Sequence, residues 1–530
     1  MLDLQIRGGR VIDGAGNPWY RADVGIAGDR IAAVGRLRDE PAKRVIDADG
    51  LFVCPGFVDM HTHSDLQLLV NPAHEAKVHQ GVTLDVLGQD GLSYAPVTDE
   101  VLEQLRGQLA AWNDDPPGFD WSWRTVGEYL DRLDADGIAV NVAYLAPHGT
   151  IRMCAMGYDD RPPTADELGH MKRLLAEALE QGAVGLSTGL TYTPGMYADD
   201  DEIVALLEVV HEHGGYYTPH HRNYGRRALE AYADCIEIAR RSGVPLHLAH
   251  AHLGFPVNKG RAPELLGMID QARDDGIEIT LDTYPYLAGS TYLAAFLPSW
   301  MHVGGSAATV ERLRNPELRE RLRAEIEDEG SDGFHEIPMD WSAIVVDGLS
   351  VSEAAAAEGA RPIDYVCELL VERNLAVSCI AHTGNEENVR ATMAHWSHTV
   401  GSDGIIVGDR PHPRGWGTFP RYFAVYVREL GILTWEQAVR KMTSLPAQRL
   451  GFPDRGLLRP GMAADVTFVD PETVRDTATY EDPRRQPEGI PYVLVNGVVV
   501  VDDGRHTGAL AGRTLRAPGR RGSSRARPAA

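Results

Sequence analysis

The residues of this sequence best suited to chemistry are histidines and aspartates that follow short apolar runs. His61 and His63 come directly after the run Gly-Phe-Val-Asp-Met. Residues i and i+2 of a β-strand face the same side, so these two imidazoles can bind one metal ion. His250 and His252, in the run PLHLAHAHL, have the same spacing, whereas His247 falls on the opposite face and is expected to be structural. The pattern predicts a metal site.

Three other apolar runs end in groups that can bind a metal or move a proton. GVTLDVLGQDG ends near Asp90, GYYTPHHR ends in His220 and His221, and TVGSDG presents Asp403. One such residue alone is more often structural, but these groups recur at five run ends. Nitrogen and oxygen ligands favour a divalent first-row ion, for which zinc is our first choice. Asp403 follows the last run and is suited to act as a general base for water beside the ion.

The middle of the chain predicts a scaffold that would bring these run ends together. Strand-length runs alternate with helical stretches such as ADELGHMKRLLAEALEQG, which end at glycine. Roughly eight such runs predict an α/β fold, a (β/α)8 TIM-like barrel whose working residues lie at the carboxyl ends of the strands. An open doubly wound sheet is the alternative, although no GxGxxG motif or P-loop follows a strand. The predicted runs are GVTLDVLG, AVNVAYLAP, AVGLSTGL, GYYTPHHR, PLHLAHAHL, IEITLDTYPY, LAVSCIAHT and TVGSDGIIV.

The two ends of the chain have a different pattern. Residues 1–56 and 455–515 contain short alternating strands between glycine-rich turns, including Asn496-Gly497 as a hairpin turn. Neither end has enough strands to form a sandwich alone. We therefore expect one β-sandwich domain built from both ends, and a barrel over residues 57–454 between them in sequence. Residues from about 290 to 350 interrupt the rhythm and are expected to be a small insertion. The arginine-rich tail, 516–530, is expected to be disordered.

The composition is that of a folded globular protein and argues against two classes of partner. The 76 acidic and 51 basic residues give a formal net charge of −25. Such a surface repels phosphate backbones and anionic lipid, so neither nucleic acid nor membrane is expected as a partner. Five scattered cysteines without a CxxC pair, and the absence of a signal-peptide pattern or a long apolar stretch, predict a cytoplasmic protein. The oligomeric state is left open.

Several longer motifs make the chain resemble the amidohydrolase superfamily, and within it the D-aminoacylase (N-acyl-D-amino-acid deacylase) family. The residues HxH, His, His and Asp occur in this order along the chain. Between and after them are the segments GLSTGLTYTPG, DTYPYLAGST, PHPRGWGTFPR and RKMTSLPAQRLG. The segments GGRVIDGAGNPWYRADVGIAGDRIAAVG and GLLRPGMAADVTFVDPETV extend the resemblance over nearly the whole chain except the final tail. PHPRxWGTFPR and GMAADVTFVDP are highly specific.

This resemblance implies zinc-dependent hydrolysis of an N-acyl amide, with a small N-acyl amino acid or related amide as the substrate. By motif, His220 and His250 would hold a tightly bound zinc, and His61 and His63 would line a weaker second site, giving one or two ions per chain. Asp403 would take a proton from water and return it to the leaving amine. Four more residues fall where the family binds substrate, the first as a clamp for the α-carboxylate: Arg414, Tyr192, Tyr284 and Ser290.

The chain departs from the family pattern at two places. The family usually has Asn-Cys-Gly after the second strand, whereas this chain has Gln89-Asp90-Gly91. A carboxylate is a harder ligand than a thiolate and could admit manganese, cobalt or iron; alternatively, Asp90 does not ligate. None of the five lysines ends a predicted barrel strand, so a carboxylated-lysine bridge is not expected and Asp90 is the leading bridging candidate. His252 stands where a lysine often touches the substrate side chain, which argues against acidic side chains such as D-glutamate.

Two other functions are consistent with these residues. One is a cyclic amide or imide hydrolase of the dihydroorotase or hydantoinase type, which would require two metals and ring opening. The other is a catalytically altered relative that only binds ligands. The joint presence of Asp403, His220 and His250 argues against the second, because a site without catalysis needs no base beside its ligands.

Overall fold

The computed structural model describes residues 1–332 and 334–517. Among these residues, no helix combines the length and the apolar character needed to cross a membrane. The strands are, in chain order, β1 (Leu2–Val11), β2 (Tyr20–Ala27), β3 (Arg30–Gly35), β4 (Ala42–Asp47), β5 (Phe52–Pro55), β6 (Phe57–Asp59), β7 (Val82–Leu87), β8 (Asn141–Tyr144), β9 (Ala146–Pro147), β10 (Gly185–Gly189), β11 (Tyr216–His220), β12 (Leu246–Leu248), β13 (Ile279–Thr283), β14 (Gly289–Tyr292), β15 (Ile344–Val346), β16 (Leu349–Ser350), β17 (Ser378–Ala381), β18 (His398–Val400), β19 (Val466–Val469), β20 (Tyr492–Val495), β21 (Val498–Asp502) and β22 (Arg505–His506).

Helices alternate with the central strands, and their ends follow from local sequence. The hydroxyl of Thr164 accepts a hydrogen bond from the backbone N–H of Glu167, whose side chain accepts one in return, so a capping box starts the helix there. The helices are α1 (Gln67–Val70), α2 (Glu75–Val78), α3 (Asp99–Asn113), α4 (Val126–Asp136), α5 (His148–Met156), α6 (Ala165–Glu180), α7 (Asp200–His213), α8 (Ala228–Ser242), α9 (Ala262–Asp274), α10 (Ser306–Leu313), α11 (Pro316–Arg323), α12 (Val351–Glu358), α13 (Pro362–Glu372), α14 (Glu386–Ala394), α15 (Arg414–Arg421), α16 (Trp435–Met442) and α17 (Ser444–Leu450).

Strands from both ends of the chain form one nine-stranded sheet in the order β22-β21-β20-β19-β5-β1-β2-β3, with β4 beside β1. The antiparallel pairing of β5 with β19, in which Phe52 lies opposite Val469, joins the two ends. One side of this sheet packs a separate apolar cluster that includes Ile6, Val24 and Phe468. The N-terminal and C-terminal segments are therefore parts of one unit.

The central strands are parallel and form two sheets, β6-β7-β8 and β18-β13-β12-β11-β10-β9. Hydrogen bonds connect the edges of the two sheets on both sides. The backbone N–H of Met60 donates to Val400 at 3.1 Å, and that of Val184 donates to Tyr144 at 2.8 Å. The carboxyl ends of these strands therefore lie at the same end of the unit, and the buried candidate ligands are found there.

The run LAVSCIAHT was predicted as a central parallel strand, and this prediction is wrong. Its strand, β17, pairs antiparallel with β14 and β15, so that Ile380 lies opposite Ser290 and Val345 in a separate four-stranded sheet. The parallel position is filled instead by β6, the short strand before His61. An apolar run of strand length does not by itself specify which sheet it joins, which explains the error.

The connection between β13 and β18 runs from residue 284 to residue 397 and contains this antiparallel sheet together with α10–α14. The insertion expected at about 290–350 lies inside it. At the C-terminus, Arg516 contacts the carboxylate of Asp131, and the backbone N–H of Ala517 donates to Gly182 at 3.0 Å. The first two residues of the tail that was expected to be disordered are thus docked on the molecule, and residues 518–530 lie outside the described residues.

Candidate metal centre and active site

Six predicted site residues meet at the carboxyl ends of the parallel strands, and all are buried. They form two sets whose candidate ligand atoms lie within 4.8 Å of one another. Asp90 belongs to both sets and therefore stands between them. The first set is His61, His63, Asp90 and Asp403, and the second is Asp90, His220 and His250.

Each imidazole presents one nitrogen to the Asp90 carboxylate. The Nε2 atoms of His61 and His250 lie 3.5 Å from its Oδ1. The Nε2 of His63 and the Nδ1 of His220 lie 3.6 and 3.3 Å from its Oδ2. Ligand atoms that share one ion at bond lengths of about 2.1 Å are separated by roughly these distances. The carboxylate therefore lies where it could contribute a ligand atom to either set.

Three of the six residues have a left-handed backbone conformation that residues other than glycine seldom adopt. The φ angles are +54° at Asp90, +29° at His250 and +49° at Asp403. Strained backbone of this kind is concentrated at functional sites. The neighbouring Gly91 is also constrained, because a Cβ there would lie 2.6 Å from the backbone nitrogen of Gly189. The turn after β7 therefore packs directly on β10 and holds Asp90 in place.

The charge balance of the site fits a bound cation. Among the residues described, neither ring nitrogen of His61 has a hydrogen-bonding partner, and the Oδ1 of Asp90 has none either. Burial lowers the pKa of His61, but the carboxylates of Asp90 and Asp403 outweigh it and raise the pKa well above its ordinary value. Burial likewise opposes ionisation of Asp90, yet the surrounding imidazoles hold its pKa well below the usual range. Buried nitrogen and oxygen donors without partners are the donor set that a divalent ion satisfies.

The second nitrogens of the histidines are held by residues that the sequence motifs did not identify. The Nε2 of His220 lies 2.6 Å from the Oγ1 of Thr191, and the Nδ1 of His250 lies 3.1 Å from the hydroxyl of Tyr224. Such outer partners fix the orientation of a metal-binding imidazole. Thr191 lies within the motif GLSTGLTYTPG and Tyr224 comes two residues after GYYTPHHR, but neither pattern shows which ring nitrogen the hydroxyl will contact.

Asp282 is a third outer residue, and its position could have been noticed at the end of the run IEITLDTYPY. Its Oδ2 lies 3.8 Å from the Nδ1 of His61 and 2.9 Å from the Nε2 of His247. Its Oδ1 accepts a hydrogen bond from the backbone N–H of His250 at 2.9 Å. His247 thus supports the site without facing it. His221 packs against the rings of Tyr224 and Tyr232 and belongs to neither ligand set.

Asp403 lies between the metal-binding groups and a buried arginine. Its Oδ1 is 3.1 Å from the Nε2 of His63, and its Oδ2 is 2.9 Å from the Nη1 of Arg414. Burial raises the pKa of Asp403, but Arg414 and His61 outweigh it and keep the pKa below the ordinary value of a carboxyl group. Asp403 is therefore held as a carboxylate, the form that can accept a proton.

A pocket lies beside Asp403, and Arg414 is behind the residues that line it. Its guanidinium is fully buried, donates to the carbonyl oxygen of Ser290 at 3.0 Å, and lies 4.4 Å from the centre of the Tyr284 ring. Ser290, Tyr284 and Asp403 all line the pocket. The guanidinium is thus a buried cation in contact with Asp403, the predicted base.

The other predicted substrate residues also line this pocket. The hydroxyl of Tyr192 is hydrogen-bonded to that of Thr291 at 2.9 Å. The ring of His252 stacks on Tyr284 at 4.2 Å and contacts the hydroxyl of Thr283. The pocket also has a largely apolar wall, in which Phe334 stacks on Tyr224 with 4.9 Å between ring centres and meets Phe296 edge-on at 5.1 Å. The wall residues are Tyr224, Phe255, Leu287, Phe296 and Phe334.

Comparisons with known proteins agree on one family. A family model described as "Amidohydrolase family" matches residues 44–501. An N-acyl-D-glutamate deacylase of Alcaligenes xylosoxydans xylosoxydans is 38% identical over 501 residues, which are 94% of this chain and 93% of that protein. A D-aminoacylase of the same organism is 36% identical over 522 residues, 97% of each chain.

A solved structure shows the same relation in three dimensions. The crystal structure of N-acyl-D-glutamate deacylase from Bordetella bronchiseptica, complexed with zinc and a phosphonate inhibitor that mimics the tetrahedral intermediate, matches with a TM-score of 0.82 at 36% identity. The match covers 97% of this chain and 100% of that one. Sequence and fold thus lead to the same group of proteins.

Proposed function

The chain belongs to the amidohydrolase family, and from this premise we propose that it hydrolyses the amide bond of an N-acyl-D-amino acid to a carboxylate and a free amine. The proposal rests on one observation above all. Asp90 lies between two sets of buried imidazoles, with the carboxylate of Asp403 at the edge of the first set. Relatives of nearly the same length carry deacylase names, and one binds zinc with a mimic of the tetrahedral intermediate.

The two ligand sets fit one or two divalent ions. His61, His63, Asp90 and Asp403 would hold one ion, and Asp90, His220 and His250 would hold the other. Such an ion supplies Lewis acidity to the scissile carbonyl and lowers the pKa of water. Zinc suits the imidazoles, and the carboxylate of Asp90 also suits manganese, cobalt or iron. The amines of the five lysines contact other groups, namely Asp59 and Ser402, Asp3, Glu208, Glu387 and the carbonyl oxygen of His395, so Asp90 is the proposed bridge.

In this proposal Asp403 moves the proton. Its carboxylate lines the pocket and is fixed on both oxygens, by His63 and by Arg414. It would accept a proton from the attacking water and return it to the nitrogen of the departing amine. A general base that is already deprotonated and held in place contributes about 10²–10⁴-fold to the rate.

Arg414 is the proposed anchor for the α-carboxylate of the substrate. The planar guanidinium matches a carboxylate, and among the described residues that line the pocket there is neither a lysine nor an arginine. Ser290 and Tyr284, which lie between Arg414 and the pocket, would complete the carboxylate site, and Tyr192 would border the reacting amide. A substrate carboxylate that reaches Arg414 would compete with Asp403 for the same guanidinium.

The remaining wall favours an apolar substituent on the substrate. The aromatic and aliphatic side chains of this wall carry no positive charge that could pair with a second carboxylate, and His252 occupies the position where a lysine would provide one. Burying an unpaired carboxylate is costly. We therefore assign N-acyl-D-amino acids with apolar side chains, rather than acidic ones, as the preferred substrates.

The scaffold proposed for this chemistry is a (β/α)8 barrel. With β8 and β9, which are separated by one residue, counted as one strand, the two central parallel sheets contain eight strands in the described part of the chain, and hydrogen bonds link both edges. We place the barrel at 57–454 and a β-sandwich domain at 1–56 and 455–515. The acidic charge and the reduced cysteines agree with a cytoplasmic location.

Removal of the metal tests the proposed function. Treatment of the purified protein with a chelator should abolish release of amine from N-acetyl-D-leucine, and addition of zinc, cobalt or manganese should restore it. Full activity in a preparation free of metal would contradict the proposal.

A further inference from the structure

We propose that Lys77 and Asp59 form a buried bridge that positions the general base Asp403. The inference rests on the proposed function, because it concerns the base of that reaction. Neither residue belongs to a ligand set or lines the pocket, so both would be positioning residues rather than catalytic ones. Their effect would pass through Ser402, the residue directly before Asp403.

The contacts of Lys77 connect two strand ends. Its Nζ donates to the Oδ2 of Asp59 at 2.5 Å and to the Oγ of Ser402 at 2.5 Å. Asp59 ends β6, two residues before the first metal-binding histidine, and Ser402 follows β18. One ammonium group therefore joins the segment that carries the histidine pair to the segment that carries the base.

The second oxygen of Asp59 reinforces the same connection. Its Oδ1 accepts hydrogen bonds from the backbone N–H of Ser402 at 2.8 Å and from that of His61 at 3.2 Å. The backbone N–H of Asp403 in turn donates to the carbonyl oxygen of His61 at 2.7 Å. The left-handed turn at Asp403 is thus held from both sides by this bridge.

The bridge is buried and closely packed. Lys77, Asp59 and Ser402 have no exposed surface. At Gly404 a Cβ atom would lie 2.9 Å from the Oγ of Ser402 and 3.0 Å from the Nζ of Lys77, so the loop closes directly over the pair. A buried ion pair adds little net stability compared with apolar residues of the same size. Its value here is that it fixes one arrangement of two loops.

The position of Asp403 matters because proton transfer depends on short distances. A misplacement of about 1 Å costs on the order of 10²-fold in rate. Ser402 cannot move without carrying Asp403 away from His63 and Arg414. The bridge therefore sets the turnover of the enzyme, while the second ligand set, which it does not contact, keeps its metal.

The test uses Lys77→Met, which approximates the shape of the side chain and removes its charge. It also uses Ser402→Ala, which keeps the ion pair of Lys77 with Asp59 and removes the hydroxyl that accepts hydrogen bonds from the Nζ of Lys77 and the backbone N–H of Gly404. Arg455→Met is the matched control. Arg455 is paired with Asp465, also buried, and donates to Asn496 at 3.0 Å near the sheet of the chain ends. All three variants should unfold at a lower temperature than the wild type.

For Lys77→Met we expect kcat for N-acetyl-D-leucine to fall on the order of 10²-fold, with KM within about threefold and the metal content at half of the wild-type value or more, because the second ligand set lacks Asp403. The kcat of the Ser402→Ala protein should fall by about tenfold, and the Arg455→Met protein should keep the wild-type kcat. If Lys77→Met keeps its kcat, or if added metal restores it, the bridge does not position the base.

A crystal structure of the Lys77→Met protein tests the bridge independently of activity. We expect Asp403 to move by about 1 Å away from His63 while His220 and His250 stay in place. An unmoved Asp403 overturns the inference, whatever the assay shows. A wild-type protein without amide hydrolysis overturns the proposed function instead, and leaves the displacement of Asp403 as the test of the bridge.

Discussion

The Nη1 of Arg414 lies 2.9 Å from the Oδ2 of Asp403, so the proposed base is paired with the proposed substrate anchor. Both side chains are buried, and the arginine helps to hold the pKa of the carboxyl group low. The pair keeps the base ionised and fixes one of its oxygens. In the proposed function it would also couple substrate binding to the base, because the substrate carboxylate would face the guanidinium that is paired with Asp403.

Replacement of Arg414 by methionine should move the pH dependence of the reaction. The arginine lowers the pKa of Asp403, so its loss raises that pKa. At a given acidic pH, a larger fraction of Asp403 is then protonated and cannot act as a base. The acidic limb of the kcat/KM profile should therefore shift to higher pH by at least about one unit, and KM should rise. Arg414→Lys, which keeps the charge, should shift the limb less. An unchanged limb in the methionine variant would show that the pair does not tune the base.

Replacement of Asp403 by asparagine should remove the base with little change in shape. We expect kcat to fall by at least about 10²-fold because the amide cannot accept the proton. The metal content should stay at half of the wild-type value or more, since the second ligand set lacks Asp403. Asp409→Asn, at an exposed position of the same loop, is the control and should keep full activity. Comparable activity of the two variants would rule out Asp403 as the base.

Replacement of Asp90 by alanine should impair both metal sites, because Asp90 belongs to both ligand sets. Metal analysis should find less than half of the wild-type ion content. Asp90→Cys should retain metal but favour zinc over manganese, because thiolate is the softer ligand. Glu100→Ala, at an exposed position of α3, should bind metal like the wild type. Full occupancy in the Asp90→Ala protein would show that Asp90 is not a ligand.

Replacement of His252 by lysine should broaden the substrate range towards acidic side chains. The described residues that line the wild-type pocket include neither lysine nor arginine, so kcat/KM for N-acetyl-D-leucine should exceed that for N-acetyl-D-glutamate by at least about tenfold. In the His252→Lys protein, the ratio of kcat/KM for N-acetyl-D-leucine to that for N-acetyl-D-glutamate should be smaller. Val257→Lys adds the same charge at an exposed position and should leave the ratio unchanged. A wild-type preference for the acidic substrate would refute the proposed role of the apolar wall.

The meeting of the six candidate ligands at one end of the parallel strands could be predicted, because it depends on local rules. The alternation of a strand places His61 and His63 on one face, and parallel strands bring their carboxyl ends together. These rules also led to Asp90, although the backbone strain that aims its carboxylate between the imidazoles is a property of the folded turn.

The supporting contacts could not be predicted in the same way. Tyr224, Thr191 and Asp282 meet the histidines across different strands, and Lys77 reaches Ser402 over a separation of 325 residues. The error over LAVSCIAHT has a related cause. Its apolar pattern suits any buried strand. Its antiparallel partners, β14 and β15, lie in the long connection before β18, where the sequence shows no regular alternation of strands and helices.

The most direct test of the account is the release of free amine from matched N-acetyl-D- and N-acetyl-L-amino acids, with the metal content measured on the same preparation. The account predicts about one or two first-row divalent ions per chain and hydrolysis of the D-enantiomers with apolar side chains. Absence of amine release from every N-acyl-D-amino acid by the metal-loaded protein would contradict it, most clearly if the same preparation opened dihydropyrimidine or hydantoin rings.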